Sequence, residues 1–178
     1  MRRGTYSAEH VPARRITSAG QGWGGPLTGG AIPLLYRTDK ITEEPDAYAA
    51  LWDERYKGRV SLWDDKSAIF NTARLLGYDN VYDLTDEQLE AVKAKLIEGK
   101  PQLRKYWTTA GELINLYASG EVWISNTWGG FQVAELQKQG IPVKEFLPKE
   151  KADGWVDNWQ IVKGTPNADC AYKYINFT

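Results

Sequence analysis

The run Arg59-Val60-Ser61-Leu62-Trp63-Asp64-Asp65-Lys66-Ser67-Ala68-Ile69-Phe70-Asn71-Thr72-Ala73-Arg74-Leu75-Leu76 reads as strand, turn and helix in immediate succession. Arg59 to Trp63 has the length and apolar content of a strand. Asp64-Asp65-Lys66-Ser67 is a strand-to-helix turn, and the helix is expected over Ala68–Leu76. Its carboxylates stand where the backbone dipoles of a helix N-terminus favour negative charge. Asp64 is the expected N-cap.

The same alternation continues in both directions. Upstream, Ala31 to Tyr36 is a short apolar run of strand length, and Glu44-Pro45-Asp46 opens a helix expected from Ala47 to about Glu54. Downstream, Thr85 with Gln88 forms a capping box ahead of Leu89, Val92 and Leu96, and Thr109 with Glu112 forms a second ahead of Leu113, Leu116 and Tyr117. Val122 to Trp128 is a strand ending in Gly129-Gly130, followed by a helix that stops at Gly140. Ile141–Leu147 and Trp159–Lys163 are further strands, and Thr165-Pro166-Asn167 launches a last helix with Ala171, Tyr174 and Ile175 inward. Alternating strands and helices predict an α/β fold. Residues 1–30 are rich in Gly, Ser and Arg without periodicity and read as a flexible or irregular segment.

Composition narrows the function classes. The chain has 178 residues, 42% of them hydrophobic, enough to bury one substantial core. Lys and Arg total 22 against 23 Asp and Glu, so no positive field exists to track a nucleic-acid backbone. Cys170 and His10 are each the only residue of their kind, which argues against a disulfide and against a zinc site, and no cofactor is expected. Cys170 reads as a small buried hydrophobe and His10 as a surface residue. Met1-Arg-Arg-Gly-Thr-Tyr-Ser7 has the charge of a signal n-region, but polar residues and Pro12 follow in place of an apolar core. The run from Lys144-Glu145 to Lys149-Glu150-Lys151 reads as a solvated face or loop, and the glycines of Gly22–Gly25 and Thr28–Gly30 as flexibility.

The 8 tryptophans need an explanation. Three stretches set an aromatic beside a carboxylate or turn residue at a predicted strand end or on an extended segment. They are Trp63-Asp64-Asp65, Asn126-Thr127-Trp128-Gly129-Gly130 and Gly154-Trp155-Val156-Asp157-Asn158. In open α/β sheets the carboxyl ends of strands face the ligand crevice. On an extended segment Trp155 and Asp157 project to one side. An indole face attracts an ammonium with about 0.5–2 kcal/mol, and a carboxylate adds charge-assisted hydrogen bonds. Together they suit a flexible organic amine. Core packing for the tryptophans, and capping or turn-making for Asp65 and Asp157, account for the same residues, and spacing leaves both readings open.

A family resemblance adds to this. Ala50-Leu-Trp-Asp-Glu-Arg-Tyr-Lys-Gly-Arg-Val-Ser-Leu-Trp-Asp-Asp65 resembles a segment of bacterial extracellular solute-binding proteins, the spermidine/putrescine-binding group in particular. Ala73–Tyr78, Ser119–Ser125 and Asn167–Phe177 continue the match in order, so that it covers roughly residues 31–177. The resemblance implies a type II periplasmic-binding-protein-like lobe, a mixed sheet flanked by helices. It implies that Asp65 is an amine-binding carboxylate, Trp128 an aromatic wall, and Trp155 and Asp157 a paired aromatic and principal anchor. It further implies a periplasmic, non-enzymatic receptor that delivers a cationic organic solute to the membrane permease of an ABC transporter.

Two departures bear on the ligand. Ala68 stands where the resemblance places a second acid in polyamine binders, and Phe131 where it places one in diamine-specific relatives, which implies fewer cationic centres, as in a monoamine, an amino acid derivative or an opine. The resemblance also implies a division into residues 1–30 and a second lobe over 31–178, with crossovers to a first lobe that is absent. An exposed crevice face, or exchanged termini, would then favour a homodimer. The rival readings are a carbohydrate-active hydrolase using Asp65 and Asp157 as acid and base with Trp platforms, and an interaction domain whose aromatics are all core.

Overall fold

Leu34, Leu35 and Tyr36 are consecutive on one strand and all buried, so that strand is covered on both faces. The computed structural model describes residues 17–18, 21–22 and 24–177, which divide into two units. One is Ala31–Asp153, and the other joins the described residues up to Gly30 to those from Gly154 onward. The expectations for Met1–Ser7, His10 and Pro12 lie outside the described residues.

The chain begins with β1 (Thr17–Ser18), β2 (Gln21–Gly22) and β3 (Gly24–Ala31). In the unit Ala31–Asp153, β4 (Leu34–Arg37), β5 (Val60–Trp63), β6 (Leu103–Trp107), β7 (Ile124–Asn126) and β8 (Val143–Phe146) form a five-stranded sheet in the order β6-β5-β7-β4-β8. β5 runs parallel to β6 and β7, while β4 is antiparallel to both β7 and β8. The connections are α1 (Ser67–Leu75) with α2 (Asp86–Gly99), α3 (Ala110–Ala118) and α4 (Gly130–Lys138). The expected α/β class, a mixed sheet flanked by helices, is what forms. One core holds Leu34, Tyr36, Tyr48, Val60, Leu62 and Ile124, and another holds Leu35, Trp107, Leu113, Tyr117, Val122 and Leu136. Adjacent residues of β4 feed different cores because strand side chains alternate.

Both ends of this unit are fastened together. The Ile32 N–H donates to the Asp153 carbonyl at 2.9 Å, and the Asp153 carboxylate meets the Arg74 guanidinium at 2.7 Å, both side chains nearly buried. Tyr82 adds a 3.1 Å hydroxyl donation to the same carboxylate oxygen.

Several expectations are corrected. The helix expected over 47–54 forms as two 3-10 turns, Tyr48–Trp52 and Glu54–Tyr56. Asp53 parts them because its carboxylate accepts from the Arg55 N–H, a local bond that competes with a continuous helix. Gly24 to Gly30, read as part of a flexible or irregular segment, belongs to β3, which pairs with β9 (Gly154–Gln160). β9 begins five residues before the expected Trp159–Lys163 and overlaps it only at Trp159 and Gln160, since pairing with β3 rather than the local apolar run sets its limits. In α5 (Ala168–Phe177), Cys170 is exposed rather than buried, and Tyr174 is 55% exposed. The charged run is more than a solvated face: Lys144 pairs with Glu44, and Glu150 accepts from the Tyr48 N–H at 3.2 Å.

Candidate ligand-binding site

The parallel strands β5, β6 and β7 each deliver a tryptophan at or just beyond their carboxyl ends: Trp63, Trp107 and Trp128. Trp63 and Trp107 lie nearly parallel, with 18° between planes and centroids 5.8 Å apart. Trp128 meets both edge-on, at 5.3 Å and 5.2 Å. Each such contact contributes about 0.5–1.5 kcal/mol beyond its buried area. Trp107 is fully buried and donates its indole N–H to Ser125 Oγ at 3.0 Å, whereas Trp128 stays 37% exposed. The cluster thus grades from core to surface and ends in an accessible indole that cannot shift independently.

The backbone after β7 is held as firmly. Gln132, buried on α4, accepts through Oε1 from the Trp128 N–H and from Thr127 Oγ1, each at 2.7 Å. Thr127 Oγ1 in turn accepts from the Gly129 N–H at 3.1 Å. Gly129 adopts φ +78°, a left-handed conformation that favours glycine, and this turns the chain into α4 directly behind Trp128.

Of the two adjacent carboxylates after β5, Asp64 does not take its expected capping role. Asp65 Oδ1 accepts from the N–H of Ser67, the first residue of α1, at 2.9 Å and closes the turn before the helix, while its Oδ2 lies 3.9 Å from Lys66 Nζ. Asp64, the expected cap, instead extends the β5–β6 ladder through its N–H to the Trp107 carbonyl, and its side chain is exposed. One oxygen of Asp65 is therefore committed to structure, which weakens it both as an amine contact and as the acid or base of a hydrolase.

In the other unit, Trp155, Asp157 and Trp159 share one face of β9 by strand alternation. Trp155 lies against β3 so closely that a Cβ on Gly30 would stand 3.0 Å from its ring, and one on Gly29 would stand 2.9 Å from its carbonyl oxygen. These glycines serve close approach, not flexibility. Trp159 meets Tyr174 of α5 edge-on at 5.3 Å. Asp157 is exposed and makes no hydrogen bond or ion pair with a described residue, so its carboxylate is available. Each unit thus presents sequence-predicted residues, Asp65 and Trp128 in one, Trp155 and Asp157 in the other.

Trp107 and the wall role of Trp63 escaped the sequence reading. Leu103–Trp107 has the burial pattern of a charged edge strand and no alternation to announce it. Among the described residues no three His, Cys, Asp or Glu side chains gather to hold a metal ion, and no helix is long and apolar enough to cross a membrane.

Comparison with known proteins is consistent in kind. The family described as bacterial extracellular solute-binding protein matches residues 7–178. The spermidine/putrescine-binding periplasmic protein of Escherichia coli is 32% identical over 157 residues, covering 83% of this chain and 44% of that protein. The gamma-aminobutyric acid-binding protein of Pseudomonas aeruginosa is 28% identical over 153 residues, covering 83% and 42%. Among solved structures, the spermidine/putrescine ABC transporter substrate-binding protein of Streptococcus pneumoniae superposes with a TM-score of 0.76 at 25% identity, covering 89% of this chain and 48% of that one. The chain spans less than half the length of these relatives.

Proposed function

This chain belongs to the bacterial extracellular solute-binding protein family, and from that premise we propose that it binds a cationic organic solute for an ABC importer. Family members bind solutes rather than convert them. The observation that carries the reading is the accessible indole of Trp128, braced by Trp63 and Trp107 at the carboxyl ends of three parallel strands. Such a wall packs methylenes and attracts an ammonium. Asp157, exposed beside Trp155 on β9 and unpaired among the described residues, is proposed as the principal ammonium-binding carboxylate, and Asp65 as a lesser one. The relatives' names share an amine, which makes putrescine, spermidine and gamma-aminobutyric acid the first solutes to test. We further propose that residues 31–178 supply one lobe and its crossovers, that a second lobe closes on the solute, and that the receptor works in the periplasm with a membrane permease.

Titration calorimetry of the chain with these three solutes tests the reading. At least one amine is expected to bind, Asp157→Asn to weaken it by at least about tenfold, and Trp128→Ala by about tenfold. If none of the amines binds, or if Asp157→Asn leaves affinity untouched, the proposal is wrong.

A further inference from the structure

One carboxylate on the sheet stands outside the tryptophan cluster and the turn after β5. Glu145 on β8 pairs in register with Leu35 on β4, which pairs with Ser125 on β7. Residues directly opposite across antiparallel strands project to the same face. Ser125 Oγ receives the Trp107 indole N–H, so Glu145 rises on the face that carries the tryptophan cluster. It stands two strands over from β7, a lateral offset of ~10 Å at the usual strand spacing.

Its side chain reaches back toward the cluster. A Cβ on Gly129, the residue after Trp128, would lie 3.7 Å from Glu145 Oε2 and 3.8 Å from the Pro33 ring. Glu145 is exposed as a residue, but surrounding protein crowds its carboxyl enough that burial raises its pKa, and no basic group counteracts this. It makes no hydrogen bond or ion pair with any described residue, while its neighbour Lys144 is taken by Glu44. A carboxylate that has lost part of its water and found no partner gains more from an incoming ammonium than a solvated one does.

We propose that Glu145 is a second ammonium-binding carboxylate, beside Trp128, which makes this chain select linear diamines over monoamines. The proposal rests on the amine-receptor reading above. It adds from β8 a negative charge on the face that carries the tryptophan cluster, and so favours a dication. Methylenes between the two ammonium groups would run along the Trp128 indole, with one end at Glu145.

The test is calorimetry with putrescine and butylamine on the unaltered chain and on the isosteric variant Glu145→Gln. Glu145→Gln is expected to weaken putrescine by at least about tenfold while changing butylamine less than about twofold. An equal loss for both amines would mean that Glu145 only supports the fold around Gly129, and an unchanged putrescine affinity would mean that it touches no solute; either overturns the assignment and leaves the receptor reading standing. Failure of the unaltered chain to bind either amine overturns both.

Discussion

Trp128 and Trp155 are both aromatic faces proposed for the same chemistry, but the molecule holds them by opposite means. Trp128 is braced from behind by Trp63 and the fully buried Trp107, and its backbone is tied to buried Gln132. Trp155 is seated by clearance, lying where two glycines of β3 leave room for it. An indole backed by core resists change because moving it would open a void. One seated on glycine resists only until a methyl group intrudes. The first placement depends on what is present, the second on what has been left out.

The largest effect that would break this contrast is at Trp107. Trp107→Ala is expected to lower unfolding free energy by about 4 kcal/mol, the cost of emptying a buried aromatic site, measured by urea denaturation. A loss below about 1 kcal/mol would mean that the cluster is not a brace. Gly30→Ala should cost less, about 1–2 kcal/mol of overpacking, and should raise amide exchange along 154–160 while sparing 103–107 and 124–128. Protection unchanged on β9 would show that Trp155 does not depend on that clearance.

The smallest effect is electrostatic. Glu112 accepts from the Thr108 N–H at 2.8 Å and from the Thr108 hydroxyl, and pairs with Lys105, so it clamps the chain on both sides of Trp107. The Lys105 ammonium, followed by the Thr108 N–H, lowers its pKa from 4.5 to about 2. A folded-state pKa below the unfolded one stabilises the fold above pH 4.5, and that contribution disappears as pH falls from 4.5 through about 2. Glu112→Gln should therefore lower stability at neutral pH and flatten its pH dependence between 4.5 and about 2, while leaving the most acidic end little changed. An identical acid limb in both proteins would remove Glu112 from the clamp.

How much of this was readable beforehand follows from how local each determinant is. The strand, turn and helix at 59–76 were legible because an apolar run, two carboxylates and a helical stretch sit in one short segment. The division of labour between Asp64 and Asp65 was not, because either spacing can cap and only the backbone path chooses. β3 was hidden by its glycines, which carry low strand propensity and find their reason only in Trp155, more than a hundred residues later. β6 was hidden by Arg104, Lys105 and Tyr106, all exposed on an edge strand. Trp128, Trp155 and Asp157 stood out as candidates from sequence, whereas Glu145 did not, because its face is fixed by register with Leu35.

The hydrogen bond from Ile32 to Asp153 has an engineering meaning. Where a polypeptide enters and leaves a folded body at one point, the body behaves as a cassette. Residues 31–153 could be spliced into a surface loop of a host protein with little separation imposed on the loop's ends. Joined by a short linker, those ends would also allow new termini to be opened elsewhere in the sequence, with the Asp153–Arg74 pair keeping the old seam shut.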